Sequence, residues 1–254
     1  MDLSRLDTIT PTEYSRYRYI DAVLNGMDTS AGELCDIGCG VGNHLLAFGD
    51  LFSKSMGIDT SDESLELAGK KISSPDITLK KLDAFELDRQ FDFIFLTEVL
   101  EHVLDDRRLL EHIRKNILKK NGYLLVTVPA HSRLYSQFDN NAGHYMRYYR
   151  KEIISLLSGA GFKPLIFWCY GWFLFHIIAN SMPLLGEKNN GARIGDKGSS
   201  LKDRTRLSSI REFSGIAKVI VSRVNLVHRL CFFMDRIFRK CDFGIEYFIF
   251  CKPD

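Results

Sequence analysis

The stretch Leu34-Cys35-Asp36-Ile37-Gly38-Cys39-Gly40-Val41-Gly42-Asn43 decides how this chain is read. A short apolar run carrying one acidic residue is followed by three glycines at alternate positions, and His44-Leu45-Leu46-Ala47-Phe48 then opens a helix. That is a strand, a tight turn and a helix start, the arrangement by which α/β proteins bring backbone N–H groups close to a ligand. The Gly38-x-Gly40 pair permits positive φ and close backbone approach. A dinucleotide fingerprint, G-x-G-x-x-G, requires glycine at its sixth position, where this chain has Asn43. Its third glycine stands at position 42 instead.

Working outward, apolar runs at 55–59, 77–82, 91–96 and 123–129 read as four further strands, with helices at 61–72 and after Thr97. Lys119-Lys120-Asn121-Gly122 reads as the turn before the fifth strand. A helix over 12–24, with Pro11 near its start, precedes the first strand. On it, Arg18 and Tyr19 either face a ligand or pack on the sheet edge. Five strands alternating with helices imply a doubly wound parallel sheet, whose ligands bind at the carboxyl ends of the strands. Asp36, Gly38, Asp59, Asp83, Thr97 and His131 all fall at those ends. Asp59 follows Gly38 by 21 residues, close to the ~20-residue interval at which such folds place a ribose-binding acid. A carboxylate there can accept from ribose hydroxyls, or cap the helix that begins near Ser61. Asp83 has the same two readings, ligand contact or turn residue.

In combination, Asp36-Ile37-Gly38-Cys39-Gly40-Val41-Gly42, Gly57-Ile58-Asp59, the Phe91-Asp92 to Glu98-Val99-Leu100-Glu101-His102-Val103 segment and Leu118-Lys119-Lys120-Asn121-Gly122-Tyr123 to Pro129 resemble the successive motifs of class I S-adenosylmethionine (SAM) dependent methyltransferases. The resemblance covers 34 to about 165. It implies a Rossmann-like seven-stranded sheet whose last strand is antiparallel, with S-adenosyl-L-methionine as cofactor. Carried over, Asp36, Gly38, Gly40 and Gly42 surround the methionine end, Asp59 holds the ribose, Asp83 and Ala84 the adenine, and Thr97 lies near the sulfonium. The Glu98-to-His102 segment resembles the branch acting on small molecules, and the Asn/Asp-Pro-Pro-Tyr pattern of nucleic-acid amino-methylating enzymes is missing. A nucleic-acid substrate is therefore disfavoured. Methyl transfer needs alignment of the nucleophile with the methyl carbon, and a hydroxyl acceptor also needs a base. His144, His102 and His131 are the candidates, since an imidazole titrates near neutral pH.

Gly143-His144-Tyr145-Met146-Arg147-Tyr148-Tyr149-Arg150 resembles a Gly-His-x-Arg-Arg-Tyr segment of methyltransferases from polysaccharide and lipid-linked sugar gene clusters, with Met146 in place of the first arginine. It implies Arg147, Tyr148 and Arg150 as substrate-binding residues, guanidinium forks being suited to phosphate or carboxylate. The competing reading is a helix cap with aromatics packed on the sheet. The acceptor expected from this resemblance is a small molecule or a lipid-linked saccharide methylated on oxygen. A quinone-type amphiphile, or a non-catalytic SAM-binding interaction protein, are the alternatives.

Strands six (163–169) and seven (246–251) complete the sheet, so residues 1–169 and 241–254 form the expected core and 170–240 a helical insertion. The insertion is unlike the rest. Residues 165–185 carry no formal charge, Trp168, Tyr170 and Trp172 are types that favour a membrane interface, and 186–200 is polar and glycine-rich. A helix over 208–240 is expected, with Val227, Cys231, Met234 and Phe238 among its apolar positions. Residues 187–240 hold 13 Lys/Arg against 5 Asp/Glu in a chain of net charge +2. A basic amphipathic helix suits a membrane surface, or it forms a lid or dimer contact; the oligomeric state is left open. The N-terminus has no apolar h-region, and the six cysteines form no C-x-x-C pair or Cys/His metal spacing. The expectation is a cytoplasmic protein without metal, with free thiols, any membrane contact being peripheral and on the inner face.

Overall fold

A computed structural model describes residues 9–171 and 226–254, together with Leu3 and Leu6. The first helix, α1 (Pro11–Leu24), begins where Thr10 and Glu13 cap each other: the Glu13 N–H donates to Thr10 Oγ1 (3.1 Å) and the Thr10 N–H to Glu13 Oε2 (2.7 Å). Then follow β1 (Glu33–Ile37), α2 (Asn43–Phe48), β2 (Lys54–Asp59), α3 (Asp62–Lys71), β3 (Ile77–Lys81), β4 (Phe91–Thr97), α4 (Asp106–His112), β5 (Leu118–Pro129), α5 (Gln137–Ala142), α6 (Arg150–Gly159), β6 (Phe162–Tyr170), α7 (Leu226–Phe238) and β7 (Glu246–Pro253). The strands form one sheet in the order β3-β2-β1-β4-β5-β7-β6. Pairings among β1 to β5 are parallel, and β7 runs antiparallel to both β5 and β6. The order reverses between β1 and β4, and the crevice outside that switch point is where open α/β sheets bind ligands.

Strand residues alternate between two cores. Leu34, Phe93, Phe95, Leu125, Phe248 and Phe250 face α1 and α2, where Tyr17, Ile20, Leu45 and Phe48 meet them. Cys35, Ile37, Ile94, Leu96, Val126 and Ile249 face α4 and α6 through Leu109, Leu110, Ile153 and Leu157. This period of two, with both faces apolar, is what a sheet covered on both sides requires. Each fully buried Phe or Leu contributes about 1.5–3 kcal/mol, so the two faces hold the sheet rigid beneath its carboxyl edge.

Two expectations change. The turn expected at 119–122 lies inside β5, where the partner of β4 jumps from Leu118 opposite Phe91 to Tyr123 opposite Phe93. The four residues are absorbed as an irregularity, with Lys119 Nζ holding Asp92 at 2.9 Å. Trp168 and Tyr170, expected to favour a membrane interface, are engaged within the protein. Trp168 stacks on Phe248 under the Arg239 guanidinium, and Tyr170 is fully buried.

Of the insertion, 170–171 and 226–240 are described; Trp172, the polar stretch 186–200 and the first part of the helix expected over 208–240 lie outside the described residues. The buried face of α7 is more polar than the sequence pattern suggests. His228 Nε2 meets the Ile9 carbonyl at 2.8 Å, and Asp235 accepts from Ser15 Oγ (2.5 Å) and from the Gly171 N–H (3.0 Å). Those bonds pin α7 to α1 with Cys231 between them. Leu226, Leu230, Phe233 and Ile237, four apolar residues on one helical face, are exposed instead. Among the described residues no helix is long and apolar enough to cross a membrane.

Candidate functional site

The glycine turn sits at the switch point. Gly38, Gly40 and Gly42 have φ of 69°, 52° and 76°, all left-handed. A Cβ on Gly38 would lie 2.6 Å from Val99 Cγ2, and one on Gly42 2.7 Å from Ile72 Cδ1. The turn is thus pressed against the end of β4 on one side and α3 on the other. Gly40 differs: a Cβ there would meet nothing within 4 Å. Its outer side is open, and its N–H donates to Asp59 Oδ2 (2.8 Å), while the Ser61 N–H donates to Oδ1 (2.8 Å). Asp59 therefore ties the turn to the tip of β2 and to the start of α3. Both sequence readings of this residue, a ligand-side carboxylate and a local cap, are compatible with that geometry.

Asp36 is fully buried under the turn, and neither carboxylate oxygen has a hydrogen-bond partner. Burial, reinforced by the Asp59 charge, pushes its pKa up to about 8. A buried carboxyl left without a donor is costly.

Thr97, at the end of β4, is buried with its hydroxyl 3.2 Å from His44 Nδ1. The sequence marks His44 only as part of a helix start. Burial, with Arg16 nearby, lowers its pKa to about 3, so it is neutral, and its Nε2 has no partner. The next residue, Glu98, adopts φ 55°, rare for a residue with a side chain. Its N–H donates to the Thr127 carbonyl (3.1 Å) and its Oε1 accepts from Thr127 Oγ1 (2.9 Å). Arg16 completes the clamp, with NH2 3.3 Å from Glu98 and 2.8 Å from Glu246, and Nε donating to Tyr170 Oη (3.1 Å). Tyr170 Oη in turn donates to Glu246. Arg16 is the residue that sequence reasoning misses, since the α1 positions it singles out are Arg18 and Tyr19. Those two pack away from the crevice, Arg18 over Phe232 and Tyr19 among Trp168, Phe232 and Phe248.

Asp83 is exposed beyond β3 and caps the short turn Ala84–Glu86, accepting from the Phe85 N–H (2.8 Å). Ala84 is half-buried beside it.

The three candidate histidines do not converge. His102 and His144 meet edge to face, centroids 4.9 Å apart, next to Glu101. His131, at φ 60°, belongs to a separate group with Cys169 and Asp242. Burial, followed by the neighbouring His144, lowers the His102 pKa to about 4. Burial lifts Glu101 well above the usual carboxylate range, with Glu98 adding to it, and neither Glu101 oxygen has a partner.

Among the expected substrate residues, Arg147 and Tyr148 turn inward. Arg147 Nε donates to Asp139 Oδ1 (2.7 Å) and NH1 to the Ala130 carbonyl (3.4 Å). Burial pushes Asp139 up, but the hydrogen bonds from His144 and Arg147 outweigh it and hold its pKa at about 2. Tyr148 is a core residue whose hydroxyl donates to Asp106 (3.0 Å). It packs with Ala130 just past the end of β5, with which it forms an isolated bridge. Arg150 keeps a half-buried guanidinium stacked on Phe167 at 4.4 Å.

Comparison with known proteins agrees with this layout. Residues 12–165 match the family model of the methyltransferase domain. An uncharacterized protein of Rickettsia prowazekii is 32% identical over 114 residues, 41% of this chain and 45% of that protein. The chain spans about half the length of the curated relatives it matches. Among solved structures, a candidate methyltransferase of Bacillus halodurans superposes with a TM-score of 0.60 at 16% identity, covering 95% of this chain and 99% of the other. The magnesium protoporphyrin IX methyltransferase of Synechocystis, solved with bound SAH, gives 0.51 at 16% identity over 62% of this chain and 78% of that one.

Proposed function

Because this chain belongs to the methyltransferase-domain family, we propose that it transfers a methyl group from S-adenosyl-L-methionine to an oxygen of a small molecule or lipid-linked saccharide. The observation that carries the reading is the unpartnered Asp36 carboxylate beneath a glycine turn that is open at Gly40. A ligand that brings an ammonium group to Asp36 and lies along the turn fits both features. When bound, S-adenosyl-L-methionine supplies a methyl carbon already activated by its sulfonium. What remains for the protein is alignment and exclusion of water.

In this reading Asp36 takes the amino group, and Gly38, Gly40 and Gly42 let the methionine portion approach the backbone. Asp59 accepts from the ribose hydroxyls with the lone pairs left over from Gly40 and Ser61, and Asp83 and Ala84 flank the base. Thr97 and Glu98 form the floor toward the acceptor, kept in place by His44 and Arg16. The exposed stripe Leu226, Leu230, Phe233 and Ile237 supports an amphiphilic acceptor presented at a membrane surface, since an apolar helical face flanked by Arg229 and Arg236 suits that boundary. It serves a quinone-type amphiphile as well as a lipid-linked sugar.

Calorimetric titration with S-adenosyl-L-methionine and, separately, with NADH tests the reading. Micromolar binding of the first alone supports it; binding of neither removes it. Labelled methyl transfer into polyprenyl-linked saccharide, compared with a phenolic quinone precursor, then separates the acceptors. Asp59→Ala should weaken S-adenosyl-L-methionine binding at least tenfold while the fold persists, and unchanged affinity would remove the ribose assignment. Gly40→Ala is the sharper test of the cradle. Its left-handed φ costs about 1–2 kcal/mol of stability, but its methyl projects into the open side. Denaturant melting should show only that modest loss, whereas affinity should fall at least tenfold.

A further inference from the structure

We propose that Glu101, His102 and His144 bind a divalent first-row transition-metal ion. One ligand atom from each lies within 4.8 Å of the others, close enough that small side-chain shifts bring all three to the ~2.0–2.2 Å bond lengths of one ion. Hydrogen bonding fixes the tautomers. His102 Nδ1 is 3.1 Å from the Gly143 carbonyl, which can only accept, so that nitrogen carries the hydrogen. His144 Nδ1 is 2.9 Å from the Asp139 carboxylate, so it donates too. In both rings the lone pair is then left on Nε2, the tautomer a metal requires.

The outer support is also present. A carboxylate behind a histidine orients the ring and raises its basicity. Asp139 does this for His144 while being held by Arg147 Nε (2.7 Å), the Ser136 N–H (2.9 Å) and Ser136 Oγ (3.2 Å). The loop is tied to the third ligand through the backbone, the Tyr145 N–H donating to the Glu101 carbonyl at 2.7 Å. Glu101 itself is 0% exposed with both side-chain oxygens unpartnered. Two basic nitrogens and an orphaned carboxyl group are a ligand set. Imidazole with carboxylate suits zinc, cobalt or iron, with positions left open for another ligand.

Spacing rules miss this site because Glu101 and His102 are adjacent while His144 arrives from beyond β5. Its place follows from Val99, which packs against Gly38 two residues before Glu101. The donor set thus shares the carboxyl edge of the sheet with the glycine turn. An ion there would lower the pKa of a hydroxyl bound to it, the proton leaving to water; this role, unlike the site, rests on the methyl-transfer reading.

The test is a cobalt(II) titration of the untagged full chain after chelator treatment. Visible d–d bands should saturate at one ion per chain, without a thiolate-to-cobalt band in the near ultraviolet, and zinc should displace them. Glu101→Gln and His102→Ala should each weaken binding at least 100-fold, with circular dichroism confirming the fold, and Cys169→Ser should leave it unchanged. Absence of bands in the wild type overturns the proposal whatever the variants do. So do bands that survive both substitutions, or a thiolate band lost in Cys169→Ser, which would place the ion at His131, Cys169 and Asp242. S-adenosyl-L-methionine affinity measured on the same sample separates the readings: cobalt binding without it sinks the methyltransferase activity alone, and the reverse sinks the metal site alone.

Discussion

Arg16→Met should destabilise the protein by about 3–5 kcal/mol, the range for removing one partner of a buried ion pair. The arginine side chain is 9% exposed, and it faces Glu98 and Glu246 at 27% and 12%. Methionine fills similar volume, so the loss is electrostatic rather than a cavity. It leaves two carboxylates and the Tyr170 hydroxyl in low dielectric without their cation. For a chain of this length the melting temperature should fall on the order of 10 °C. The pH dependence identifies the cause. Burial raises the Glu98 pKa, and Arg16 is the first of the groups that draw it back. Without Arg16 it rises further, and a carboxyl raised in the folded state loses stability as pH climbs. The gap between variant and wild type should therefore widen from pH 4 to 7. A gap that is flat with pH would mean that Arg16 acts by packing alone. Arg16→Lys should recover only part of the loss, because one ammonium cannot reach Tyr170 Oη and Glu246 with the fork that Arg16 uses.

Glu98 explains why this cluster stands where it does. A residue with φ 55° costs about 1–3 kcal/mol and persists only if its surroundings over-determine it. Thr127 holds both its N–H and its carboxylate, and Arg16 holds the carboxylate from α1. The chain is thereby turned sharply at the end of β4, which sets Val99 against Gly38 and sends Glu101 and His102 toward Gly143.

The sheet was legible because its signals are local. Apolar runs of strand length and glycine punctuation are written into consecutive residues, and each strand end carried its acidic or hydroxyl residue in register. Asp36, Asp59 and Thr97 could be placed for that reason. Arg16 could not, because its partners Glu98, Tyr170 and Glu246 are spread over the whole chain and meet only when β7 is inserted between β5 and β6. Arg147 and Tyr148, expected to bind substrate, turn inward for a related reason. A basic-aromatic loop reads the same whether it faces ligand or core, and only Asp139 and Asp106, each on another element, turn it inward. For α7, His228 and Asp235 break the apolar pattern, yet they are buried because Ile9, Ser15 and Gly171 await them.

Asp36→Asn should make the ligand-free protein more stable at pH 8 while weakening S-adenosyl-L-methionine binding about 100-fold. The ordinary carboxyl value is 3.8, and in the folded chain Asp36 is pushed up to about 8 by burial and then by Asp59. Between those values the folded protein keeps a proton that the unfolded chain has released. Stability therefore falls as pH rises through the window, by up to about 1.4 kcal/mol per pH unit. Below pH 4 both states are protonated and the amide changes little. Denaturant melts from pH 4 to 8 should show the decline in the wild type and a flatter profile in the variant. Binding runs the other way, because an ammonium group set against this carboxyl favours its ionised form. At pH 6–7 the wild type should release a proton on binding, read by calorimetry in buffers of different ionisation enthalpy, and the variant should release none. Losing a buried, paired charge costs about 2–5 kcal/mol, which sets the 100-fold expectation. A variant with wild-type affinity and the same proton release would remove Asp36 from the site, and the orphaned carboxylate would then need another ligand to explain it.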